Sequence, residues 1–416
     1  MAASTVEYPL LTFSPFPSSR QTVFIPTANC YNSLRGPVVV KAKSSFSLKD
    51  QLFNLEKVDY LGGLIGQVYA DFDQTAFHRD VVEAFPRLEL KQRIAHISTC
   101  LYQYLPAPYP AALDIILNAL PPALDPTKTD DDFGDFILAP LSLYVATQGC
   151  TADYLELSIQ ALKEITKRFS AEDAIRYFIN SFPEETCRFL LDCAQDENYH
   201  VRRLASEGTR PKLPWSQKLV IDYRQPLPIL EVLFADNTRY VTRSVANHLN
   251  DISKVDSALV IETLARWDAS GQQTAEEMTF ITKHGLRSQI KQGNKQALAL
   301  LGFGGKPDIT IIHFSTSTPV VQVGAAFEFT LELRANKSQK LLVDYLMTFA
   351  GDGKKQPQKV FKLKQLELKA GEVVQLKKRH PMRLMTTRRL ILGEHRIVLQ
   401  VNGQAFDSLS FELVEP

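Results

Sequence analysis

The hydrophobic positions along the chain follow two different periods, and the change between them falls near residue 303. From residue 48 to residue 303, apolar side chains recur at the three- and four-residue spacing of helices, and proline or glycine separates the segments. After the segment 301–307, which holds three glycines and a proline, apolar and polar residues alternate, as they do in 326–333. The pattern predicts a multidomain chain in which an all-α region is followed by an all-β region.

A repeat of 40 residues runs through the helical region. The segments that begin at residues 196, 236 and 276 each start with an acid, place an apolar residue five positions later and a cation two positions after that. This pattern is typical of stacked helical pairs of the HEAT type, whose second helices line one concave surface. We expect positions 203, 243 and 283 to project in register, and likewise Glu207, Asn247 and Arg287. In a single repeat the acid could simply be a helix cap, but a row of three cations is what a curved scaffold needs to follow a phosphate backbone.

The all-β region is expected to be an immunoglobulin-like sandwich. Alternating runs predict about seven short strands, the number typical of that fold. Asn402-Gly403 between two apolar runs is a strong signal for a tight hairpin. We therefore predict a leader at 1–45, an all-α HEAT-like helical solenoid at 46–303 and an all-β immunoglobulin-like sandwich at 304–416.

Composition narrows the class of protein. With 416 residues, 45% hydrophobic and 22% charged, the chain can form about two to three folded domains. Its apolar runs stay below the ~18 residues that a membrane-spanning helix needs, so we expect no membrane partner. The five cysteines and eight histidines are scattered without ligand spacing. We therefore predict no metal and no cofactor, and a reducing compartment.

Charge is unevenly distributed along the chain. Residues 1–49 carry a net charge of +4, the middle of the chain −8, and residues 308–416 +5. The leader is rich in Ser, Thr and Pro and nearly free of acid, which suits an organellar transit peptide. Plastid import is favoured over mitochondrial import, because arginine is sparse. If the leader is only a tail without an address, the protein belongs in the nucleus or cytoplasm.

Two predicted loops of the β region are strongly basic. One is the segment 353–355, and the other comprises 377–383 together with 386–389. The cations chosen as DNA contacts come from the second loop and are Lys377, Lys378, Arg379, Arg383 and Arg388. A run of cations is usually a solvated face. Next to a basic-lined solenoid, however, we expect these residues to hold a phosphate strand or a narrow groove.

Three segments of the helical region, 169–178, 200–215 and 244–252, resemble the AlkC family of 3-methyladenine DNA glycosylases. The similarity extends through the β region at 342–345, 359–364, 386–388 and 400–403, which resemble the immunoglobulin-like domain appended in that family. Only the leader lies outside it. One departure is Asp173, where the family usually has an aromatic residue.

The resemblance implies a base-excision repair enzyme that hydrolyses the N-glycosidic bond of cationic alkylated bases in duplex DNA. The expected lesions are N3-methyladenine and, in addition, N3-methylcytosine. Such a base leaves readily, so the enzyme must stabilise an oxocarbenium-like sugar and bring water to C1′, and carboxylates do both. Glu172, Glu207 and Asp251 match acidic positions of the family motifs and are the catalytic candidates.

The resemblance and the repeat together suggest which residues contact DNA. The phosphate and sugar contacts are predicted at Arg203, Arg210, Arg243, Asn247 and Arg287. Trp215 could lie against the lesion or its sugar, since an indole face attracts a cation, or it could be a packing residue. We also expect a monomer, and a base that is not deeply flipped into a pocket.

Each carboxylate has a structural alternative. Glu172 could be a first-turn acid after an N-cap at Ser170, Glu207 could form an intrahelical ion pair, and Asp251 could cap the next helix. The rival to an enzyme is a non-catalytic helical-repeat scaffold that binds DNA or another protein.

Overall fold

A computed structural model describes residues 47–128, 130, 132–351, 356–383 and 390–415. The predicted leader, the predicted basic loop at 353–355 and Arg388 lie outside the described residues, so the transit peptide and that loop stay predictions. No helix in this part of the chain is long and apolar enough to cross a membrane.

The expected order of an all-α region followed by an all-β region is confirmed. The helical region consists of α1 (Leu48–Leu52), α2 (Leu55–Val68), α3 (Gln74–Ala84), α4 (Leu90–Tyr104), α5 (Tyr109–Asn118), α6 (Ala139–Gln148), α7 (Leu155–Thr166), α8 (Ile175–Ser181), α9 (Pro183–Cys193), α10 (Tyr199–Gly208), α11 (Leu227–Leu233), α12 (Arg239–Ser253), α13 (Ser257–Ser270), α14 (Ala275–Gly285), α15 (Arg287–Lys291) and α16 (Lys295–Leu300).

Helix α12 shows how the stack is built. Its residues Val241, Val245, Leu249 and Ile252 recur at helical spacing, and all four are fully buried. Each such side chain stabilises the fold by roughly 1.5–3 kcal/mol relative to an exposed one. On either side α12 packs against α10 and α14, so the three helices form consecutive layers.

The 40-residue repeat is visible at the starts of α10 and α12. Asp196 accepts a hydrogen bond from the backbone N–H of Asn198, and Asp236 accepts the equivalent bond from Thr238, both at 2.8 Å. Asp236 also binds Arg202 of the preceding repeat at 2.5 Å. These acids therefore stabilise the turns that precede the two helices, and Asp236 also links consecutive repeats.

The third repeat departs from the prediction. Helix α14 begins at Ala275, only 36 residues after Arg239 begins α12, and Arg287 opens a separate helix, α15. Lys283 is exposed and does not line the cleft described below. The predicted row of three cations in register is therefore wrong at its third member.

The β region forms two sheets. Its strands within the described residues are β1 (Ile309–Thr316), β2 (Val320–Gln322), β3 (Ala326–Ala335), β4 (Gln339–Thr348), β5 (Gln358–Leu368), β6 (Val373–Pro381), β7 (Gly393–Val401) and β8 (Gln404–Val414). One sheet has the order β1-β3-β6 and the other β2-β8-β7-β4-β5. All neighbours are antiparallel except β2 and β8.

The core of the sandwich follows the predicted alternation. Phe327, Phe329 and Leu331 of β3 are buried, as are Tyr345 and Met347 of β4. The predicted hairpin joins β7 to β8. Both of its central residues have positive φ, 48° and 72°, which is the geometry of a type I′ turn and the reason that Asn-Gly occurs there.

The same hairpin touches the end of the helical region. Gly403 lies so close to Gly293 that a Cβ on Gly403 would stand 2.6 Å from the Gly293 Cα. Beside this contact Leu298, Phe303 and Leu342 form a small apolar cluster. Two glycines thus allow the backbones of the helical region and the sandwich to meet.

Candidate active site

A cleft of about 290 Å³ lies where α10 and α12 face the turn that precedes α8. Its lining combines two carboxylates with three guanidiniums and two aromatic rings: Phe133, Glu172, Arg203, Glu207, Arg210, Leu213, Pro214, Tyr240, Arg243, Ser244 and Asn247. Six of these residues are sequence-predicted site residues.

Glu172 is the carboxylate most open to the cleft. It lies in the turn before α8, with 22% of its side chain exposed, and its Oε2 accepts a hydrogen bond from Arg203 Nη1 at 3.3 Å. Burial raises the pKa of this carboxyl above its usual value in spite of Arg203. The capping alternative is wrong, because α8 begins only at Ile175 and Ser170 instead accepts a bond from Arg203 at 2.6 Å.

Arg203 joins the two cleft carboxylates. Besides Glu172 it lies 3.8 Å from Glu207, and its guanidinium sits over the rings of Tyr240 at 4.5 Å and Phe133 at 5.4 Å. Burial opposes its charge, but the carboxylates outweigh burial and raise its pKa. Arg203 is therefore a permanently charged group held between acids and aromatic faces.

Glu207 is held by two hydrogen-bond donors and a third, more distant cation. Its Oε1 accepts from Arg210 at 2.6 Å and its Oε2 from Ser244 at 2.6 Å, while Arg203 lies on the same helix one turn earlier. Burial alone would raise its pKa, but Arg203 and Arg210 outweigh it and lower the pKa, so the group stays ionised. The intrahelical ion pair expected as an alternative is present, and it lies inside the cleft rather than on a solvated surface.

Asp251 does not line the cleft. It is a residue of α12 with 3% of its side chain exposed, and it binds Arg210 Nη2 at 2.9 Å and Lys254 at 3.0 Å. The suggested cap is wrong, because Asp256 caps the next helix by accepting from the N–H of Leu259. Asp251 reaches the cleft only through Arg210.

The predicted phosphate contacts divide into two groups. The side chains of Arg203 and Arg210 are only 7% and 10% exposed and are committed to carboxylates, which argues against direct phosphate contact by either. Arg243 is 31% exposed at the cleft, where it pairs with Asp130. Arg243 is thus the more accessible arginine of the repeat.

Asn247 and Arg287 come together next to Arg243. The Oδ1 of Asn247 accepts from Arg287 Nη2 at 3.1 Å and lies 2.9 Å from His284 Nε2. Burial, and then the nearby arginines, lower the pKa of His284 to about 4, so its ring is neutral at physiological pH. His284 was missed in the sequence, because it lies outside the repeat register.

Trp215 lies outside the cleft lining, one residue beyond Pro214. Its backbone is in the left-handed region with φ 65°, and the residue is 72% exposed. The alternative of a packing residue is therefore wrong. Its carbonyl oxygen accepts a bond from Lys91.

Three of the basic residues that were predicted in a loop of the sandwich lie in a strand, which corrects the prediction for them. Lys377, Lys378 and Arg379 belong to β6, where Lys377 and Arg379 are exposed and Lys378 is half-buried. Arg379 pairs with Glu328 of β3 at 3.1 Å, and Arg383 is exposed just beyond the strand. The cations therefore lie along one strand and its end.

Sequence reasoning did not single out the five other cleft residues, which are Phe133, Leu213, Pro214, Tyr240 and Ser244. Phe133 comes from the long connection between α5 and α6, and Tyr240 and Ser244 come from α12. Tyr240 falls 40 positions after His200, so the repeat could have pointed to it. Phe133 carries no signal of its own, whereas Ser244 is the first residue of the segment 244–252 that carries part of the family resemblance.

Comparisons with known proteins cover both regions. A protein-family model described as "Uncharacterised protein YhaZ, C-terminal Ig-like domain" matches residues 310–415. Uncharacterized protein YhaZ of Bacillus subtilis (strain 168) is 32% identical over 367 residues, which is 87% of this chain and 98% of the relative. The structure of Pseudomonas fluorescens alkylpurine DNA glycosylase AlkC, bound to DNA containing an abasic site analog, matches with a TM-score of 0.80 at 34% identity. That match covers 88% of this chain and 99% of the other.

Proposed function

Because the chain belongs to the AlkC family of DNA glycosylases, we propose that it releases cationic alkylated bases from duplex DNA by hydrolysing the N-glycosidic bond. The expected substrates are N3-methyladenine and, secondarily, N3-methylcytosine. The observation that carries this proposal is the pair of carboxylates, Glu172 and Glu207, held on either side of the Arg203 guanidinium at the cleft.

The chemistry of the lesion explains why carboxylates suffice. A base that is already positively charged departs without a proton from a general acid. The rate then depends on stabilising the positive sugar and on placing a water molecule at C1′. Negative charge and a proton acceptor at the cleft meet both needs.

Glu172 is our candidate for the residue that orients the water. It has a single cationic partner, Arg203, whereas Glu207 and Asp251 each have two. It is also more exposed than either, and its raised pKa makes it the stronger base. These features support a direct role for Glu172 at the reacting water.

Glu207 and Asp251 have different roles in this proposal. Glu207 lines the cleft and supplies fixed negative charge for the sugar, since its pKa is lowered. Asp251 is a positioning residue, because it acts through Arg210, which in turn binds Glu207 at 2.6 Å. Burial makes such charge–charge contacts stronger than they would be at the surface.

The cleft also bears on how the base is handled. Arg203 already occupies the faces of Tyr240 and Phe133, so these rings are not free to sandwich a flipped base. This favours the view that the enzyme acts on the sugar side without deep base flipping. The DNA backbone would be contacted by Arg243, Asn247 and Arg287. The exposed cations of β6 and Arg383 would contact the second DNA strand or a groove of the duplex.

The direct test measures release of methylated adenine from alkylated duplex DNA by the full chain and by its Glu172→Gln, Glu207→Gln and Asp251→Asn variants. We expect release by the parent, loss of release in the two cleft variants and a smaller loss for Asp251→Asn. Binding to abasic-analogue DNA should survive in all three. A parent protein that binds DNA but releases no base would leave the scaffold interpretation in its place, and excision of neutral uracil at a comparable rate would refute the lesion class.

A further inference from the structure

The connection between α10 and α11, residues 209–226, delivers several side chains to the cleft. Arg210, Leu213 and Pro214 line the cleft, and Trp215 follows with an exposed indole. The φ of 65° at Trp215 is a conformation that bulky L-residues rarely adopt without support from their surroundings. Something in the fold must therefore hold this segment.

Arg176 of α8 binds the backbone of this segment. Its Nη1 donates to the carbonyl oxygens of Gly208 at 2.9 Å and Arg210 at 2.8 Å, and its Nε donates to the carbonyl oxygen of Gln217 at 2.8 Å. These three carbonyls enclose the part of the chain that carries Arg210 and Trp215. One side chain thus fixes the beginning and the end of that part.

The burial of Arg176 is costly and has no ion pair to offset it. The residue is 1% exposed, and among the described acids none lies within salt-bridge distance of its guanidinium. Burial lowers its pKa to about 10. An apolar side chain of similar volume would fill this position at less cost, so the guanidinium is present for the carbonyls that it binds.

Asn180 continues the same contact one turn along α8. Its Nδ2 donates to the carbonyl oxygen of Lys218 at 2.9 Å, and its Oδ1 accepts from the N–H of Val220 at 3.0 Å. Residues four apart lie on one face of a helix, so Arg176 and Asn180 present a continuous row of partners to the connection.

We propose that Arg176 and Asn180 form a clamp that holds Arg210 against Glu207 and Asp251 and positions Trp215 for the DNA strand, and thereby sets the rate of base release. Neither clamp residue would touch the substrate, so both are positioning residues. The proposal rests on the proposed glycosylase activity for its effect on rate, whereas its effect on the free protein can be measured without DNA.

The two tryptophans of the chain allow that measurement. Trp267 is buried and stacked on Phe234 at 4.5 Å, so Trp267→Phe keeps an aromatic stack and leaves Trp215 as the single reporter. In this background the fluorescence anisotropy of Trp215 should be high in the free full-length protein. Arg176→Lys and Asn180→Ala should each lower it, Arg176→Lys more, because lysine cannot bind three carbonyls in a fixed plane.

Base release is measured in the same variants under single-turnover conditions with alkylated duplex DNA. We expect Arg176→Lys to slow release about 10- to 100-fold, the range expected for misplacing a group by about 1 Å, and Asn180→Ala to slow it less. Arg93→Lys is the matched control. Arg93 is another buried arginine, 3% exposed, which donates to the carbonyl oxygens of Lys49, Phe53 and Phe85 and to the carboxylate of Asp50. None of these four partners lines the cleft or belongs to the connection 209–226. It should lower thermal stability without changing the anisotropy of Trp215 or the rate.

The outcomes separate this proposal from the glycosylase activity. Unchanged Trp215 anisotropy in both Arg176→Lys and Asn180→Ala overturns the clamp, and so does a loosened Trp215 with an unchanged release rate. An equal loss of rate in Arg93→Lys also overturns it, because the effect would then be one of stability. If the parent releases no base while the anisotropy falls as expected, the clamp stands as a structural device and the proposed activity fails.

Discussion

Helices α10 and α12 carry the same pattern 40 residues apart, yet they create opposite environments. Arg203 of α10 has 7% of its side chain exposed, whereas Arg243 of α12 has 31%. One turn further, α10 has Glu207 where α12 has Asn247. The carboxylate binds two guanidiniums, while the amide accepts from Arg287 without adding charge. The repeat fixes where a side chain projects, and partners from other segments, Glu172 at Arg203 and Asp130 at Arg243, accompany the difference in how far each arginine is buried.

The largest effect that this comparison predicts is on stability. Arg203→Met should lower the free energy of unfolding by about 3–5 kcal/mol, because it leaves the carboxylates of Glu172 and Glu207 without their shared cation. Arg243→Met should lower it by less than about 1 kcal/mol, since that pair is partly exposed. Urea unfolding followed by circular dichroism measures both. Equal losses would show that the two repeats are energetically alike.

The second prediction converts one repeat into the other. Glu207→Asn should reduce single-turnover base release by about 100- to 1000-fold, a loss typical of removing one preorganised electrostatic group. The loss is measured at a temperature where circular dichroism shows the variant to be folded. Asn247→Ala at the equivalent position is the control and should leave most of the rate. Comparable losses in the two variants would mean that the rate depends on the equivalent positions of both helices rather than on α10 alone.

Sequence reasoning found the parts of the site that depend on local pattern. The two regions, the repeat at α10 and α12 and the Asn402-Gly403 hairpin each rest on residues close together in the chain, and the structure contains them. The repeat also placed Arg203, Glu207, Arg243 and Asn247 on one surface. Their shared register follows from helical geometry alone.

What the sequence could not supply is pairing between distant segments. The repeat pattern predicts Arg203 as a phosphate contact. In the structure Arg203 instead donates to Ser170 and Glu172, which lie more than 30 residues earlier in the chain. Glu172 itself precedes a helix that starts later than its capping pattern suggested. In the sandwich, three consecutive cations of β6 interrupt the alternation of apolar and polar residues that predicts a strand. A lysine such as Lys378 can nevertheless occupy an inward position, because it packs its aliphatic stem inward and keeps its charge near solvent.

A third prediction uses pH to separate the carboxylates of the cleft. The proposed mechanism needs Glu172 ionised, and burial raises the pKa of this carboxyl above 4.5. As the pH falls through that raised pKa the carboxyl gains a proton, so the rate should drop about tenfold per pH unit below it. Glu207 does not contribute to this fall of the rate at low pH, because its pKa is lowered. The fall of the rate at low pH should remain in Asn247→Ala and should be absent from the residual rate of Glu172→Gln. If it persists in Glu172→Gln, another group accepts the proton.

The smallest predicted effect concerns DNA affinity and its dependence on salt. Arg243→Ala, and Arg379→Ala in β6, each remove one accessible cation and should weaken binding to abasic-analogue duplex by about two- to fivefold. The slope of log affinity against log salt should fall by about 0.9 for each phosphate that the variant no longer neutralises. Arg210→Met serves as the contrast, because this guanidinium is committed to Glu207 and Asp251 and its removal should leave the slope unchanged. An equal fall of the salt slope in Arg210→Met would show that the buried arginines turn toward phosphates when DNA binds. The assignment of α10 to catalysis and of α12 to DNA binding would then hold only for the free protein.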